Sequence, residues 1–265
     1  MLEPTSEASE RSIFNKMRLH SAAFKGLTAF LLFLILGGCS DAGTDRPLAK
    51  DGILDLRDYP LGSHIGLDGE WHFVWRDTSR LKLSHDVSPI GIDVPDSWNG
   101  YSFEGYELPG QGAGSYYLTL LLQELPANYA IAFATAGTAY NLFVNDNLVG
   151  SSGIYSTDSA MASPSYEPRI FDLGLHANQL RLRIDVSNYH HRLGGLWESI
   201  TFGATKGIYD HRENQIGFSL FMFGTIFIMG IYHLGVFSMS TRGKAALYFG
   251  IFCLIIGLRN LTTGD

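Results

Sequence analysis

Two turn-rich stretches carry the side chains best suited to holding a ligand: Trp98, Asn99 and Tyr101 on the first, and Asn188, His190, Arg192 and Trp197 on the second. An aromatic ring stacks on the flat apolar face of a sugar or similar small molecule, while neighbouring amides and charged groups fix its orientation. Trp98 follows Pro95 in a loop and is the tryptophan best placed for that role. Trp71, Trp75 and Trp197 read first as core residues. His191 and Arg192 have an alternative use, as contacts to membrane-side loops that couple the outer domain to the helices.

Catalysis is not expected. Paired carboxylates, a nucleophile elbow, a phosphate-cradling glycine loop and a metal-spaced His/Cys cluster do not occur in the settings their chemistry needs. Gly112-Ala113-Gly114 follows a loop and precedes a strand, which is not the strand–turn–helix setting of a dinucleotide fingerprint. His190 and His191 are adjacent, and neighbours on a strand face opposite ways, so they do not converge on one ion. The expectation is a chain without enzymatic activity, metal or cofactor. Its formal charge is −7, and the first 38 residues hold four basic against three acidic side chains, so the acidity lies beyond them. An acidic chain without a basic stripe repels phosphate, which argues against a nucleic-acid partner.

The elements that position these residues are short and alternating. From residue 41 to 212, segments rich in β-branched and aromatic residues are separated by Gly, Pro, Asn and Asp clusters, the pattern of an all-β sandwich. In Leu180 to Val186, Leu180, Leu182, Ile184 and Val186 face one way and Arg181, Arg183 and Asp185 the other. Further strands are expected at Ile53–Arg57, Glu70–Trp75, Tyr116–Leu122, Tyr129–Thr135, Ala139–Val144 and Ser199–Phe202. Between Val144 and Leu148, Asn145-Asp146-Asn147 supplies the positive φ angles of a tight hairpin. Pro95–Gly114 and Gly150–Pro168 are the candidate functional loops, since ligand contacts concentrate on loops held by a scaffold.

Both ends are apolar. Arg11, Lys16, Arg18 and Lys25 precede the run Leu27–Leu36, too short for a bilayer but the length of a signal-peptide core, so residues 1–39 read as an export segment. Met17 is an alternative start. Leu36-Gly37-Gly38-Cys39 resembles the lipobox of bacterial lipoproteins, which makes Cys39 the candidate lipidated residue; the alternative is an ordinary signal peptide or an uncleaved anchor. Near the other end, residues 216–237 would make about 33 Å of helix, enough for one span. Residues 245–261 form a second, shorter candidate, with Lys244 and Arg259 able to reach the interfaces. Arg242 and Lys244 mark the connection as cytoplasmic, which places the outer domain in the periplasm of a bacterial inner membrane. Gly217 with Gly224, and Gly250 with Gly257, share helix faces that permit close packing in a larger bundle, and homo-oligomerisation stays open. His233 lies within the first span, either as a functional group or as a hydrogen-bonding one near the interface.

Taken in order, several segments resemble bacterial seven-transmembrane receptors with diverse intracellular signalling modules. They are Ile53-Leu54-Asp55-Leu56-Arg57, Leu67-Asp68-Gly69-Glu70-Trp71 through Trp75, Val94-Pro95-Asp96-Ser97-Trp98-Asn99, Gly112 to Thr119 and Thr138 to Val144. Val186-Ser187-Asn188-Tyr189-His190-His191-Arg192 then leads to Gly194-Gly195-Leu196-Trp197, and Gly230-Ile231-Tyr232-His233-Leu234 and Leu247-Tyr248-Phe249-Gly250 to Arg259 are similar to the first two bundle helices. The resemblance implies a periplasmic jelly roll, galactose-binding-like and similar to the sugar-binding domain of family 2 glycoside hydrolases, that senses a small molecule or carbohydrate. The expected output is a cytoplasmic effector, which this sequence does not contain, so the helix pair reads as the opening of an interrupted bundle. The alternatives are an accessory domain of a glycoside-acting enzyme and a structural envelope protein that binds another protein.

Overall fold

Strict alternation of apolar and polar residues decides where this chain runs as strand and which way each strand faces. The computed structural model describes residues 46–59, 64–77, 88–123, 128–175, 178–239 and 244–263. The export segment with Cys39, and Arg242, lie outside the described residues.

Among the described residues the larger sheet has seven strands. Its path runs through β11 (Asn147–Ser152), β10 (Ala139–Val144), β13 (Gln179–Asn188), β8 (Gly112–Leu121), β3 (Gly69–Trp75) and β4 (Ile90–Val94), and β1 (Ile53–Asp55) joins β8 in parallel. The smaller sheet runs β12 (Arg169–Leu175), β9 (Asn128–Phe133), β15 (Thr201–Ala204) and β2 (His64–Gly66), all antiparallel. Two short ribbons, β5 (Asp96–Ser97) with β14 (Gly195–Leu196) and β6 (Ser102–Phe103) with β7 (Tyr106–Glu107), shape the loops between them. The sheets form a sandwich around one apolar core. Trp71, Phe73, Tyr116, Leu118 and Ile184 enter it from the larger sheet, and Tyr129, Ile131 and Phe202 from the smaller. Phe133 of the smaller sheet stacks on Tyr140 of the larger at 4.5 Å. Each such side chain removed from water contributes about 1.5–3 kcal/mol, which is how a chain without a disulfide among its described residues holds two sheets together.

The hairpin between β10 and β11 turns through Asn145 (φ 49°) and Asp146 (φ 66°), two residue types that tolerate the left-handed region. The Asn145 side chain also accepts from the backbone N–H of Arg181 on β13 (3.0 Å), so the turn is fastened to the next strand.

β15 passes without a loop into helix α1 (Thr205–Met239). The first turns of α1 are polar and dock on the sandwich: Ile208 is buried, the Tyr209 hydroxyl donates to Asp172 (3.3 Å), and His211 packs on His64 with ring centroids 3.8 Å apart. The remainder is long and apolar enough to cross a membrane. Its large side chains, Phe218, Phe221, Ile228 and Tyr232 among them, face outward, as they do on a helix solvated by lipid. A shorter apolar helix, α2 (Ala245–Thr263), runs antiparallel beside it, with the Asn260 amide donating to the Ser219 carbonyl (3.1 Å) and the Gly250 region against Gly230. His233 sits in this seam, edge-on to Phe249 at 4.6 Å.

Of the expected glycines, Gly250 and Gly257 face α1, where Gly230 joins them, and Gly217 and Gly224 do not face α2. Gly217 and Gly224 face open space, whereas a Cβ on Gly250 would lie 3.0 Å from the Gly230 carbonyl and from Leu234. The seven-residue spacing identifies a face, but the partner decides which face is used. Gly250→Leu is therefore expected to push the helices apart at a cost of ~1–3 kcal/mol. Disulfide trapping between cysteines placed at Ser219 and Asn260 should fall with it; undiminished trapping would count against this seam.

Candidate ligand-binding face

The outward positions of the larger sheet build a polar and aromatic surface. Because β10, β13, β8 and β3 are paired in fixed register, two cross-strand rows form. One aligns Asn141, Asp185, Ser115 and Val74; the next aligns Phe143, Arg183, Tyr117 and His72. Partners this close interact directly. Arg76, beyond the end of β3, donates through Nε to the Ser115 hydroxyl (3.0 Å) and through Nη2 to the Tyr117 hydroxyl (2.5 Å). Ser115 in turn donates to Asp185 (2.7 Å), and Arg183 approaches the same carboxylate at 3.5 Å. The Arg183 guanidinium lies 3.9 Å from the centroid of the Phe143 ring, a cation–π contact.

The loop after β11 lays Tyr155 over this surface. Burial, with Asp185 adding to it, pushes the Tyr155 hydroxyl up to about 12, so at neutral pH it stays a neutral donor. Ser115 is buried beneath this surface as a bridge between Arg76 and Asp185. Aromatic rings, two guanidiniums, a carboxylate and tyrosine hydroxyls above it are groups suited to a polyhydroxylated ligand, whose hydroxyls pair with the charged groups while its apolar ring face lies on the aromatics. Among the described residues no group of three or more His, Cys, Asp or Glu is arranged to hold a metal ion.

The residues singled out in the sequence lie elsewhere, and the structure does bring their two loops together. The Asn99 amide donates to the Arg192 carbonyl (3.0 Å) and its oxygen accepts from the Gly194 N–H (3.1 Å). Asn188 donates to the carbonyls of Gly110 (2.7 Å), His191 (2.8 Å) and Leu193 (2.9 Å) and accepts from the backbone of His190 and His191. Trp98 is completely buried, its Nε1–H donated to the Pro109 carbonyl (2.9 Å). Neither Trp98 nor Asn188 presents a free group to a ligand, because each is consumed in tying these loops. Trp71 and Trp75 are in the core as read, with indole N–H groups donated to Leu67 and Asp77 carbonyls.

Tyr101 is half-buried, with its hydroxyl between the Asp93 N–H (3.3 Å) and the Asp96 carboxylate (3.5 Å); burial raises its pKa. His190 and Arg192 are exposed. His191 stacks on half-buried Trp197 at 4.4 Å and takes the Leu193 N–H on Nδ1 (3.2 Å), while α1 docks through β2, β9 and β15. The contacts of α1 with the sandwich include those of Ile208, Tyr209 and His211.

No protein-family model matches the chain, and no curated protein matches it. Solved structures with a similar fold over part of the chain include a β-glucuronidase from Ruminococcus gnavus, at 14% identity and a TM-score of 0.40, matched over 53% of this chain and 29% of that one. A β-glucuronidase from an uncultured Clostridium sp. gives 14% identity and a TM-score of 0.40 over 54% of this chain and 29% of the other. The chain thus spans less than a third of those enzymes. At this score the likeness bears no functional weight.

Proposed function

We propose that the chain is an exported membrane sensor: its sandwich, a jelly roll, binds a carbohydrate-like ligand on the outer face of the larger sheet and passes the event to a membrane helix bundle. In this reading α1 and α2 both span, the sandwich lies in the periplasm of the inner membrane, Cys39 is a lipid anchor, and the chain acts by binding rather than catalysis. The observation that supports it is the absence of a linker. β15 becomes α1 at Ala204–Thr205, and three α1 side chains are fastened to the sandwich before the apolar stretch begins. A domain that merely needs tethering works on a flexible linker, whereas a sensor needs its two ends to move together.

Thermal unfolding of the detergent-solubilised full chain against neutral and acidic oligosaccharides tests this. At least one sugar class is expected to raise the midpoint saturably. Arg183→Ala should weaken that sugar about tenfold while changing stability by less than about 1 kcal/mol, as befits a part-exposed residue. If no sugar shifts the midpoint, the proposal fails.

A further inference from the structure

Where α1 leaves the sandwich it roofs a cavity of about 110 Å³ on the smaller sheet, remote from the candidate face of the larger sheet. The floor is apolar, formed by Ala132 of β9, its cross-strand partner Ile170 of β12, and Ile208 of the helix. The rim is polar and belongs largely to α1, where Ile208, His211, Arg212 and Gln215 recur at helical spacing and so share one face. Thr201 of β15 faces them, and Ser199 is already engaged, donating to Asp68 (2.5 Å).

Arg212 decides the chemistry. Its side chain is half-buried, and among the described residues it makes no hydrogen bond or ion pair. A guanidinium partly withdrawn from water beside an apolar floor gains most from an anion that it can hold bidentately. The volume is slightly below the roughly 150 Å³ of a cavity that takes benzene, so the apolar portion of a guest is a small ring or a branched chain.

We infer that this junctional cavity binds a small monocarboxylate with a compact apolar body, its carboxylate on Arg212 and its body on Ala132, Ile170 and Ile208. An occupant touches the smaller sheet and α1 at once. It therefore binds the docked helix more tightly than an undocked one, which is the differential affinity a ligand needs to shift an equilibrium. The site makes α1 docking responsive to a second chemical signal, independently of what binds the larger sheet.

The test uses the full chain in detergent at neutral pH, titrated with isobutyrate, benzoate and the neutral isostere isobutyramide, and followed by calorimetry. The two carboxylates are expected to bind saturably and the amide at least about tenfold more weakly. Arg212→Gln should bring isobutyrate down to the amide's level, and Ala132→Leu, which fills the cavity wall, should abolish binding of both acids. Arg183→Ala, on the opposite sheet, should leave these affinities unchanged. No binding of either acid, equal binding of acid and amide, or full affinity in Arg212→Gln overturns the inference. Far-ultraviolet circular dichroism of each variant separates loss of the site from loss of the fold, and Arg212→Lys, which keeps the charge without the bidentate fork, should fall between wild type and Arg212→Gln.

Discussion

Trp98→Ala is expected to destabilise the sandwich by ~3–5 kcal/mol, the range for removing a large buried aromatic side chain. The indole ring lies edge-on to Trp75 at 5.5 Å, at 6.0 Å from Phe73 and stacked on Tyr116 at 6.5 Å, so its loss empties the centre of an aromatic cluster. It also leaves the Pro109 carbonyl without its donor. Urea unfolding of the full chain in detergent, followed by near-ultraviolet circular dichroism, measures the effect. Trp98→Phe should restore part of the loss, because it refills most of the volume but not the hydrogen bond. A tryptophan that served to stack on a ligand would behave in the opposite way, with stability nearly unchanged and binding lost. An unfolding free energy within about 0.5 kcal/mol of wild type would return Trp98 to that role.

The contrast shows what local pattern conveys and what it does not. Leu180, Leu182, Ile184 and Val186 alternate with charged residues, and β13 forms with those four buried. β10 runs from Ala139 to Val144, the expected bounds, because β-branched and aromatic residues there are followed at once by a turn that only Asn, Asp or Gly enters easily. β4, β11 and β12 were not legible. Ile90 to Val94 is interrupted by Gly91, and Gly150 and Gly174 break the other two, so propensity is low and pairing with neighbours supplies the order. Trp98 misled for a related reason: proline and turn residues around it mark a loop correctly, but a loop can fold its tryptophan inward when the adjoining sheets leave a hole for it.

The sheet-face candidate was illegible for a different reason. Arg76, Ser115, Tyr117, Phe143, Tyr155, Arg183 and Asp185 come from five separate stretches, and each read alone is an ordinary outward residue. Only the pairing of Phe143 with Arg183 and of Arg183 with Tyr117 aligns them. Arg183 and Asp185 were visible as the wet side of their strand, which is as far as period-two alternation reaches. Register is a tertiary property, fixed by burial of the opposite face. The junction of β15 and α1 was likewise hidden: the apolar run announces a span from Ile216, but the helix begins at Thr205, where residues 205–215 are too polar to register as membrane and are held helical by docking.

Asn188→Asp provides the severest test of the loop end as a structural knot. The replacement is nearly isosteric, yet it puts a carboxylate oxygen where an amide N–H₂ now serves three carbonyls, those of Gly110, His191 and Leu193. Asn188 is fully buried, so solvent does not relieve the repulsion. At neutral pH the expected cost is ~3–5 kcal/mol, that of an uncompensated buried charge. This carboxyl would have a folded-state pKa raised above its unfolded value of about 3.9. Below about pH 3.9 both states are protonated, and the acid O–H donates to one of the carbonyls, so the variant is then at its least destabilised. As pH rises from there to the raised folded-state pKa, the unfolded chain ionises first and stability falls; above that pKa it levels off. Asn188→Ala, by contrast, leaves the same carbonyls unpaired at every pH and should lose a few kcal/mol without that dependence. Unfolding midpoints of both variants, each referred to wild type at about pH 4 and about pH 7, distinguish the two profiles. If Asn188→Asp is no less stable relative to wild type at the higher pH, its side chain is not facing those carbonyls, and the two loops are open to solvent as a binding site would be.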